Sequence, residues 1–401
     1  MFKARDLRFA LLALTNPKKL PAFFRIMSAH SDKIMKEYSK ENNIVEPPLV
    51  IIIRFTYKCN LRCVQCGQWG ENGIFKQPGN EKLVIDELKI EELKRFIDQV
   101  AWFKPLIYIT GGEPFLRSDI FELVDYISSK DLLITINSNC TLLEENVEKV
   151  VKSGISYFYA SLDGPKEINE KIRLGAGNST ERTINGIKAL VKYRNKTKSL
   201  SPIIQLSTVI TDENQDKLID TAKFAEELGV DVFGILPGMF TSKKLQEDTE
   251  QIFNKTFSRE RGFNDYWKGF IMDRSKINSN IVDEQLKTII SRKWKFKLKL
   301  SRPLGLKEFD SSKYFHHPEL PVGKPLCAEA WIISQLNPNG DIISCGNTPV
   351  IMGNIKKDMF MDIWNGNYYR EFRAFTKKQL FPSCHRCSAL FKLTPGLRDL
   401  G

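Results

Sequence analysis

The chain has 401 residues, of which 42% are hydrophobic and 27% are charged, and it carries a formal net charge of +12 at neutral pH. This composition is typical of a globular protein and excludes a disordered chain or one built mainly from membrane-spanning segments. The length favours more than one domain, and the positive charge favours an anionic partner, with an ordinary solvated basic face as the alternative.

Residues 1–47 are predicted to form a basic, partly helical extension that is interrupted by Pro17 and Pro21. No cleavage site of small residues follows its first apolar run, so we expect no signal peptide. Two interpretations of residues 1–46 stay open. The extension is either a helical cap on the underside of the next domain or a peripheral contact with an anionic inner membrane surface.

Residues 48–237 alternate short apolar runs with segments of helical periodicity, a pattern typical of βα units around a parallel sheet. Six strands are predicted, at residues 50–55, 106–110, 132–136, 157–161, 203–209 and 232–236. Six units are too few to close an eight-stranded barrel. The pattern therefore predicts an α/β fold with either an open, incomplete barrel or a doubly wound sheet.

Residues 238–320 lose this alternation and form a strongly basic insert or linker. Within it, lysines and apolar residues alternate with a period of two over residues 293–300, which predicts a half-buried strand with one cationic face. We interpret it as an edge strand whose lysines prevent aggregation. A face that attracts an anionic substrate is the alternative.

The most specific chemistry follows the first predicted strand, where Cys59, Cys63 and Cys66 form a C-x3-C-x2-C triad. Three thiolates do not complete a tetrahedral zinc site, but they hold an iron-sulfur cubane that keeps one iron open to another ligand. No histidine occurs between residues 31 and 315 to supply a fourth ligand nearby. The clustering of short-spaced cysteines is typical of metal ligands in a reducing compartment, so we expect a cytoplasmic protein.

Three further motifs follow the next three predicted strands. They are Gly111-Gly112-Glu113-Pro114, the segment from Asn137 to Leu143, and Ser161-Leu162-Asp163-Gly164-Pro165. Together with the cysteine triad, and in this order over residues 48–237, these motifs resemble the radical S-adenosylmethionine (radical SAM) superfamily.

This resemblance implies a partial (β/α)6 TIM-like barrel. It also implies a [4Fe-4S] cluster on Cys59, Cys63 and Cys66, with S-adenosylmethionine (SAM) bound to the fourth iron. Transfer of one electron then cleaves the SAM sulfonium to methionine and a 5′-deoxyadenosyl radical. In a parallel barrel such a site lies at the carboxyl ends of the strands.

The resemblance assigns roles to further residues. It implies that the strand end at residues 111–113 holds the methionine amino group of SAM. Ser161 is similar to the ribose or carboxylate contact of the family, and either Arg173 or Arg182 is expected to balance the SAM carboxylate. Cys140 stands where the family often has glycine. Its thiol is either a hydrogen-atom donor to a substrate radical or a small buried side chain.

Residues 321–401 contain a second cysteine group, formed by Cys327, Cys345, Cys384 and Cys387. Four thiolates are enough for either zinc or an iron-sulfur cluster. Behind a radical SAM barrel, the spacing resembles the twitch domain, a shortened SPASM-like α+β domain with one [4Fe-4S] cluster. Residues 337–341 are predicted to form a hairpin turn that brings Cys327 and Cys345 together, and His385 is expected to point to solvent.

A fully ligated auxiliary cluster has no iron free for substrate, so the resemblance implies a role in electron transfer. We expect dehydrogenation or epimerisation of a sugar-like or other polar small molecule, with flavodoxin or ferredoxin as electron donor. A ribosomal peptide or a lipid is the alternative substrate. A non-catalytic, zinc-stabilised nucleic-acid-binding protein is the alternative class, but no arginine-aromatic motif for nucleic acid is present, so no specific nucleic acid is expected.

Overall fold

The computed structural model describes residues 16–28, 31–70, 72–77, 80, 84, 86–257, 265–301, 303–305, 309–322, 326–346, 348 and 350–387. The apolar residues Leu7, Leu11 and Leu12 of the predicted extension lie outside this part of the chain.

Ten strands form one open sheet. They are β1 Val50–Thr56, β2 Leu106–Gly111, β3 Leu133–Ser138, β4 Tyr157–Ser161, β5 Ile203–Val209, β6 Val232–Leu236, β7 Lys297–Leu300, β8 Ile333–Leu336, β9 Asp341–Ile343 and β10 Ile351–Asn354. Their order across the sheet is β10-β9-β8-β1-β2-β3-β4-β5-β6-β7. The strands from β8 through β1 to β7 are parallel, whereas β8, β9 and β10 pair antiparallel. The predicted α/β fold with an unclosed parallel barrel is confirmed.

Helices connect the parallel strands and cover one face of the sheet. They are α1 Leu20–Met27, α2 Ser31–Tyr38, α3 Ile90–Val100, α4 Ile120–Ser129, α5 Val147–Lys152, α6 Lys166–Ile172, α7 Ser179–Lys196, α8 Leu218–Leu228, α9 Lys243–Thr256, α10 Ser279–Ser291, α11 Ser311–His316, α12 Glu329–Ile332, α13 Phe360–Trp364 and α14 Asn367–Lys378. In α3, for example, Leu93, Phe96, Ile97 and Val100 are buried, and their spacing places them on one helical face. The main hydrophobic core therefore lies between the sheet and these helices.

The opposite face of the sheet, inside the partial barrel, is lined with polar side chains. Tyr108 on β2 is in register with Thr135 on β3, which is in register with Tyr157 on β4. The Tyr157 hydroxyl donates to Gln205 Oε1 on β5 at 2.6 Å, and Gln205 Nε2 donates to Ser207 Oγ at 2.9 Å. We call this surface the polar face.

The predicted strand in the basic insert is confirmed, and β7 lies at one edge of the sheet beside β6. Its cationic side, however, lies on the polar face. Lys299 is in register with Gly234, and its Nζ lies 6.0 Å from the centre of the Tyr159 ring. Leu298 and Leu300 pack against the main core on the other side. Lys299 is thus placed to meet a ligand inside the barrel, in line with the alternative interpretation of this strand.

Residues 16–28 form a cap at the amino ends of the strands. Ala22 and Ile26 of α1 are buried in the main core. The Lys19 ammonium donates to the carbonyl of Gly154, which precedes β4, at 2.8 Å, and Arg25 donates to the Pro48 carbonyl at 2.9 Å. The cap interpretation therefore holds for the described part of the extension. Among the described residues, no helix is both long and apolar enough to cross a bilayer.

The C-terminal region shares the barrel sheet. Strand β8 lies parallel to β1, with Leu336 in register with Ile53, so the carboxyl ends of both strands meet at one edge. The predicted hairpin turn is confirmed, because the Asn337 N–H donates to the Asp341 carbonyl at 2.8 Å and Gly340 adopts a φ of +96°. This region therefore extends the barrel instead of forming a separate layer, which was not predicted.

Candidate functional site

The cysteine triad lies in a compact loop directly after β1. The Cys66 N–H donates to the Cys63 carbonyl at 3.0 Å, which folds the loop back on itself. Backbone amides point at two of the sulfurs. The Leu61 N–H lies 3.5 Å from Cys59 Sγ, and the Gln68 N–H lies 3.4 Å from Cys66 Sγ. Such N–H donors stabilise thiolate charge, as they do around iron-sulfur clusters.

Burial favours the protonated form of two of these thiols in the absence of metal. It raises the pKa of Cys59 to about 11 and that of Cys63 to about 12. A metal centre must therefore displace these protons, as thiolate ligation requires.

A buried ion pair lies beside the triad. Arg173 Nε is 2.8 Å from Asp163 Oδ2, and Arg173 Nη1 is 4.0 Å from Cys63 Sγ. Asp163 also accepts hydrogen bonds from Gln65 Nε2 at 2.6 Å and from the Val209 N–H at 2.7 Å. This guanidinium is therefore fixed next to the sulfur ligands, where it can balance a carboxylate. Gln65 and Asp163 were not among the predicted site residues, and only the position of Asp163 after the fourth strand pointed to it.

Glu113 is fully buried at the carboxyl end of β2. Its carboxylate accepts hydrogen bonds from Ser138 Oγ at 2.8 Å, the Asn139 N–H at 2.7 Å and the Phe115 N–H at 3.2 Å. Burial raises the pKa of Glu113 to about 7, although the three donors oppose this shift. Two carboxylate oxygens offer about four acceptor sites, so one site is left for a further donor such as an ammonium group.

The two glycines before Glu113 allow β2 to contact the triad loop. The Gly112 N–H donates to the Thr56 carbonyl at 2.7 Å, and the Glu113 N–H donates to the Lys58 carbonyl at 2.8 Å. A Cβ on Gly112 would lie only 1.9 Å from Lys58 O, and Gly111 has a φ of +138°. Only glycine fits these two positions, so the sequence itself brings Glu113 to the triad.

The structure brings Ser161 into this region but leaves Arg182 outside it. The Ser161 hydroxyl lies on the polar face and donates to Asn137 Oδ1 at 3.3 Å. Arg182 is partly exposed, and its Nη2 lies 3.3 Å from Glu145 Oε1 on the outer surface. Of the two predicted arginines, Arg173 is thus the one that lies beside the triad.

Cys140 is completely buried in the main core. Its Sγ lies 3.6 Å from the Ser138 carbonyl, and burial raises the pKa of the thiol well above its usual range. Its φ is +65°, a conformation that favours glycine. This placement is that of a small buried side chain, the alternative to the hydrogen-donor role.

The four cysteines of the second group lie near one another. Burial raises the pKa of Cys327 well above its usual range, and the other three thiols raise it further. Between Cys384 and Cys387, the buried Arg386 fixes the turn, since its guanidinium donates to the Tyr314 carbonyl at 2.6 Å. Other carbonyls that accept from the same guanidinium belong to Lys313, His317, Leu320 and His385.

The prediction for His385 was wrong. Its ring is half-buried against the backbone of Pro318 and Glu319, and its Nδ1 is buried with no hydrogen-bond partner in the part of the chain that the structure describes. The turn that Arg386 fixes holds this ring against the protein, which the sequence pattern did not indicate.

The donor sets fit iron-sulfur clusters. In the described ranges, no three His, Cys, Asp or Glu side chains converge as the ligands of one metal ion do. The fit therefore depends on the donors, which are three partly buried thiols, two of them with amides directed at sulfur, and a separate group of four thiols that are partly or fully buried.

Comparison with known families agrees with this geometry. Residues 53–225 match the radical SAM superfamily, and residues 327–388 match SPASM, an iron-sulfur cluster-binding domain. The chain therefore has a radical SAM domain followed by a C-terminal domain of the SPASM type. The alternative of a non-catalytic, zinc-stabilised nucleic-acid-binding protein is wrong.

Two relatives and one solved structure align over most of the chain. An AdoMet-dependent heme synthase of Methanosarcina barkeri is 27% identical over 330 residues, which cover 81% of this chain and 85% of the relative. A tungsten-containing aldehyde ferredoxin oxidoreductase cofactor-modifying protein of Pyrococcus furiosus is 25% identical over 362 residues, which cover 84% of this chain and 86% of the relative. The SAM-bound structure of SuiB from Streptococcus suis superimposes with a TM-score of 0.58 at 17% identity, over 88% of this chain and 79% of SuiB. This last likeness shows the shared fold.

Proposed function

We propose that this radical SAM enzyme carries two [4Fe-4S] clusters and performs a redox-type modification of a polar small molecule. The first cluster binds Cys59, Cys63 and Cys66, and SAM occupies its open iron. The second cluster binds the four C-terminal cysteines. The observation that carries the proposal is the triad of partly buried thiols beside the fixed Arg173 guanidinium.

The residues around the triad bind and orient SAM. When bound, the cluster supplies the electron that converts SAM into methionine and a 5′-deoxyadenosyl radical. Glu113 accepts the methionine ammonium at its remaining acceptor site, and Arg173 pairs with the SAM carboxylate. Asp163 positions Arg173 for this contact. Ser161 on the polar face contacts the ribose or the carboxylate.

The second cysteine group lies near the same edge of the sheet. Tyr314 connects the end of β6 with the second cysteine group. Its hydroxyl donates to the carbonyl of Gly238, just after β6, at 2.7 Å, and its ring lies close to Cys387 and Arg386. With four thiolates the second cluster has no iron open to substrate. Once formed, it would be suited to accept one electron from the substrate radical; with loss of a proton to solvent, hydrogen abstraction would then amount to a dehydrogenation. Epimerisation is the other redox outcome that the proposal includes.

The names of the relatives and the polar face favour a small-molecule substrate. One relative is named as a heme synthase and another as a cofactor-modifying protein. The polar face carries the ammonium group of Lys299 and, deeper in the barrel, the buried Tyr157 hydroxyl and Gln205 amide, which bond to each other. These groups hydrogen-bond a polar molecule better than a lipid chain. A flavodoxin or ferredoxin is the proposed electron donor.

Anaerobic turnover tests this function. The reconstituted enzyme is incubated with SAM and dithionite, and 5′-deoxyadenosine is measured. We expect product from the wild type and none from Cys63→Ala, because two thiolates no longer retain the cluster. Cys140→Gly is the matched control for iron content, since Cys140 belongs to neither cysteine group. A wild-type enzyme that is loaded with iron but forms no 5′-deoxyadenosine rejects the proposal.

A further inference from the structure

Arg274, in the basic insert, is a buried cation that has no ion-pair partner among the described residues. Only 7% of the residue is exposed. Its Nε is buried and has no hydrogen-bond partner among the described residues, while its Nη2 contacts the Met272 sulfur at 3.3 Å. The guanidinium carbon lies 5.9 Å from the centre of the Phe240 ring. These soft contacts leave most of its hydrogen-bonding capacity unused.

Several other buried arginines of this chain bond to backbone carbonyls or pair with a carboxylate, although single nitrogens of Arg173 and Arg373 also lack a hydrogen-bond partner among the described residues. The guanidinium of Arg386 donates to backbone carbonyls, and those of Arg173 and Arg194 pair with Asp163 and Asp231. Arg274 differs from these three arginines because, within the described ranges, it has neither a carboxylate partner nor a carbonyl acceptor, and its one hydrogen-bond contact is the Met272 sulfur. Burying a charge without a partner costs several kcal/mol, so such a group is retained where a partner arrives from outside.

Nearby acidic groups do not neutralise Arg274. Burial lowers its pKa, and the more distant carboxylates of Asp212, Asp163 and Asp273 only partly oppose this effect. Asp163 is already engaged by Arg173, Gln65 and backbone donors. The guanidinium therefore keeps an unmet preference for an anion.

Arg274 lies between the two cysteine groups. A Cβ built on Gly238 would lie 3.4 Å from Arg274 Nη2 and 3.2 Å from Val209 Cγ1, so the guanidinium sits over the carboxyl ends of β5 and β6. On one side Asp163 leads to Arg173 and the triad, and on the other side Tyr314 leads to Cys387. Gly238 has a φ of +81°, and the lack of a side chain there allows the guanidinium to approach the backbone closely.

We infer that Arg274 binds an anionic group of the substrate, a carboxylate or a phosphate, and thereby holds the substrate between the two cysteine groups. This inference rests on the proposed function and specifies its substrate class. A planar guanidinium binds either oxyanion through two parallel hydrogen bonds, which fixes orientation as well as position. Lys299, lower on the same side of the barrel, adds positive charge to the polar face.

Anion titration of the intact enzyme tests the inference. The anaerobically reconstituted full chain is saturated with SAM, without reductant, so that the SAM carboxylate already occupies its own site. Inorganic phosphate or succinate is then added at constant ionic strength, and the unfolding temperature is recorded. We expect it to rise with at least one of the two, and the responding anion identifies the chemical group.

Three variants make the test specific. In Arg274→Met, the responding anion should bind with an apparent dissociation constant roughly ten- to hundredfold larger, because two charge-assisted hydrogen bonds are lost. Arg274→Lys keeps the charge without the paired geometry, and intermediate binding is expected from it if the methionine variant does not fold. Arg182→Met removes the same charge from the outer surface and should respond as the wild type does.

A structural role for Arg274 gives different results. It predicts that Arg274→Met lowers the unfolding temperature without anion, whereas removal of an unpaired buried charge should leave it unchanged or raise it. A wild type that responds to neither anion, or equal responses of wild type and Arg274→Lys, would overturn the inference. The anion titration contains no reductant and so does not depend on SAM cleavage. The proposed function is tested separately, in the turnover assay with dithionite, and is rejected if the wild type makes no 5′-deoxyadenosine there.

Discussion

Arg173 Nε lies 2.8 Å from Asp163 Oδ2, and this ion pair is enclosed by protein next to Cys63. Asp163→Asn leaves the buried guanidinium without its counter-charge, a change that costs about 3–5 kcal/mol. We expect lower thermal stability and loss of SAM cleavage, measured by calorimetry and by 5′-deoxyadenosine formation.

Asp231→Asn is the matched control for this variant. Asp231 pairs with the buried Arg194 before β6, at the amino end of the sheet. It should lower stability in a similar way while SAM cleavage per folded enzyme is retained. Wild-type cleavage by Asp163→Asn would mean that Asp163 does not position Arg173 for SAM.

The buried carboxyl of Glu113 should make stability depend on pH. Its pKa rises from 4.5 to about 7 on folding, so the folded state binds more protons than the unfolded state between these values. Its stabilising contribution is present below pH 4.5 and is lost as the pH rises through 7, with a total change of about 3 kcal/mol.

Comparison with Glu113→Gln isolates this contribution in SAM-free enzyme. The unfolding temperature of the wild type, relative to that of the variant, should fall between pH 5 and 7 and then level off. Parallel pH profiles of the two proteins would contradict the raised pKa.

Close contact at Gly112 makes it intolerant of any side chain. In Gly112→Ala the new Cβ would lie 1.9 Å from the Lys58 carbonyl oxygen, so β2 must move away from the triad loop. We expect the free energy of unfolding to fall by roughly 3 kcal/mol or more and iron binding to be reduced. Gly177→Ala is the control, because Gly177 has a φ of +62° but open space around it. It should cost only about 1–2 kcal/mol and retain iron, and equal iron loss in both variants would refute this explanation.

Replacement of Cys140 by glycine should be nearly neutral. Its φ of +65° suits glycine, and the relief of this strain offsets the loss of a small buried side chain. Unfolding temperature, 5′-deoxyadenosine formation and product stereochemistry should stay close to the wild-type values. A changed stereochemical outcome would assign Cys140 the hydrogen-donor role.

Local patterns predicted the first six strands closely. The predicted β4, β5 and β6 have the observed bounds, and β1, β2 and β3 differ by one or two residues at their ends. These strands are buried apolar runs between amphipathic helices, so the pattern within each unit is enough to define them.

Contacts between distant parts of the chain were not predictable in the same way. The pairing of β8 with β1 joins strands almost 300 residues apart, and no local pattern encodes such a partner. The polar face also misleads a periodicity argument, because the alternating lysines of β7 look solvent-exposed although Lys299 lies over Tyr159 inside the barrel. No sequence pattern indicated Arg274 as a site residue. Only the folded structure shows that this buried arginine has an unpartnered nitrogen among the described residues.

Metal analysis of oxygen-free preparations tests the central claim most directly. Iron and sulfide are determined for the wild type, for Cys63→Ala and for Cys384→Ala, together with the electron paramagnetic resonance of the reduced proteins. Two independent cubanes predict about eight irons per chain in the wild type and about four in each variant. Zinc in place of iron at the triad, or loss of all iron in either variant, would contradict the account.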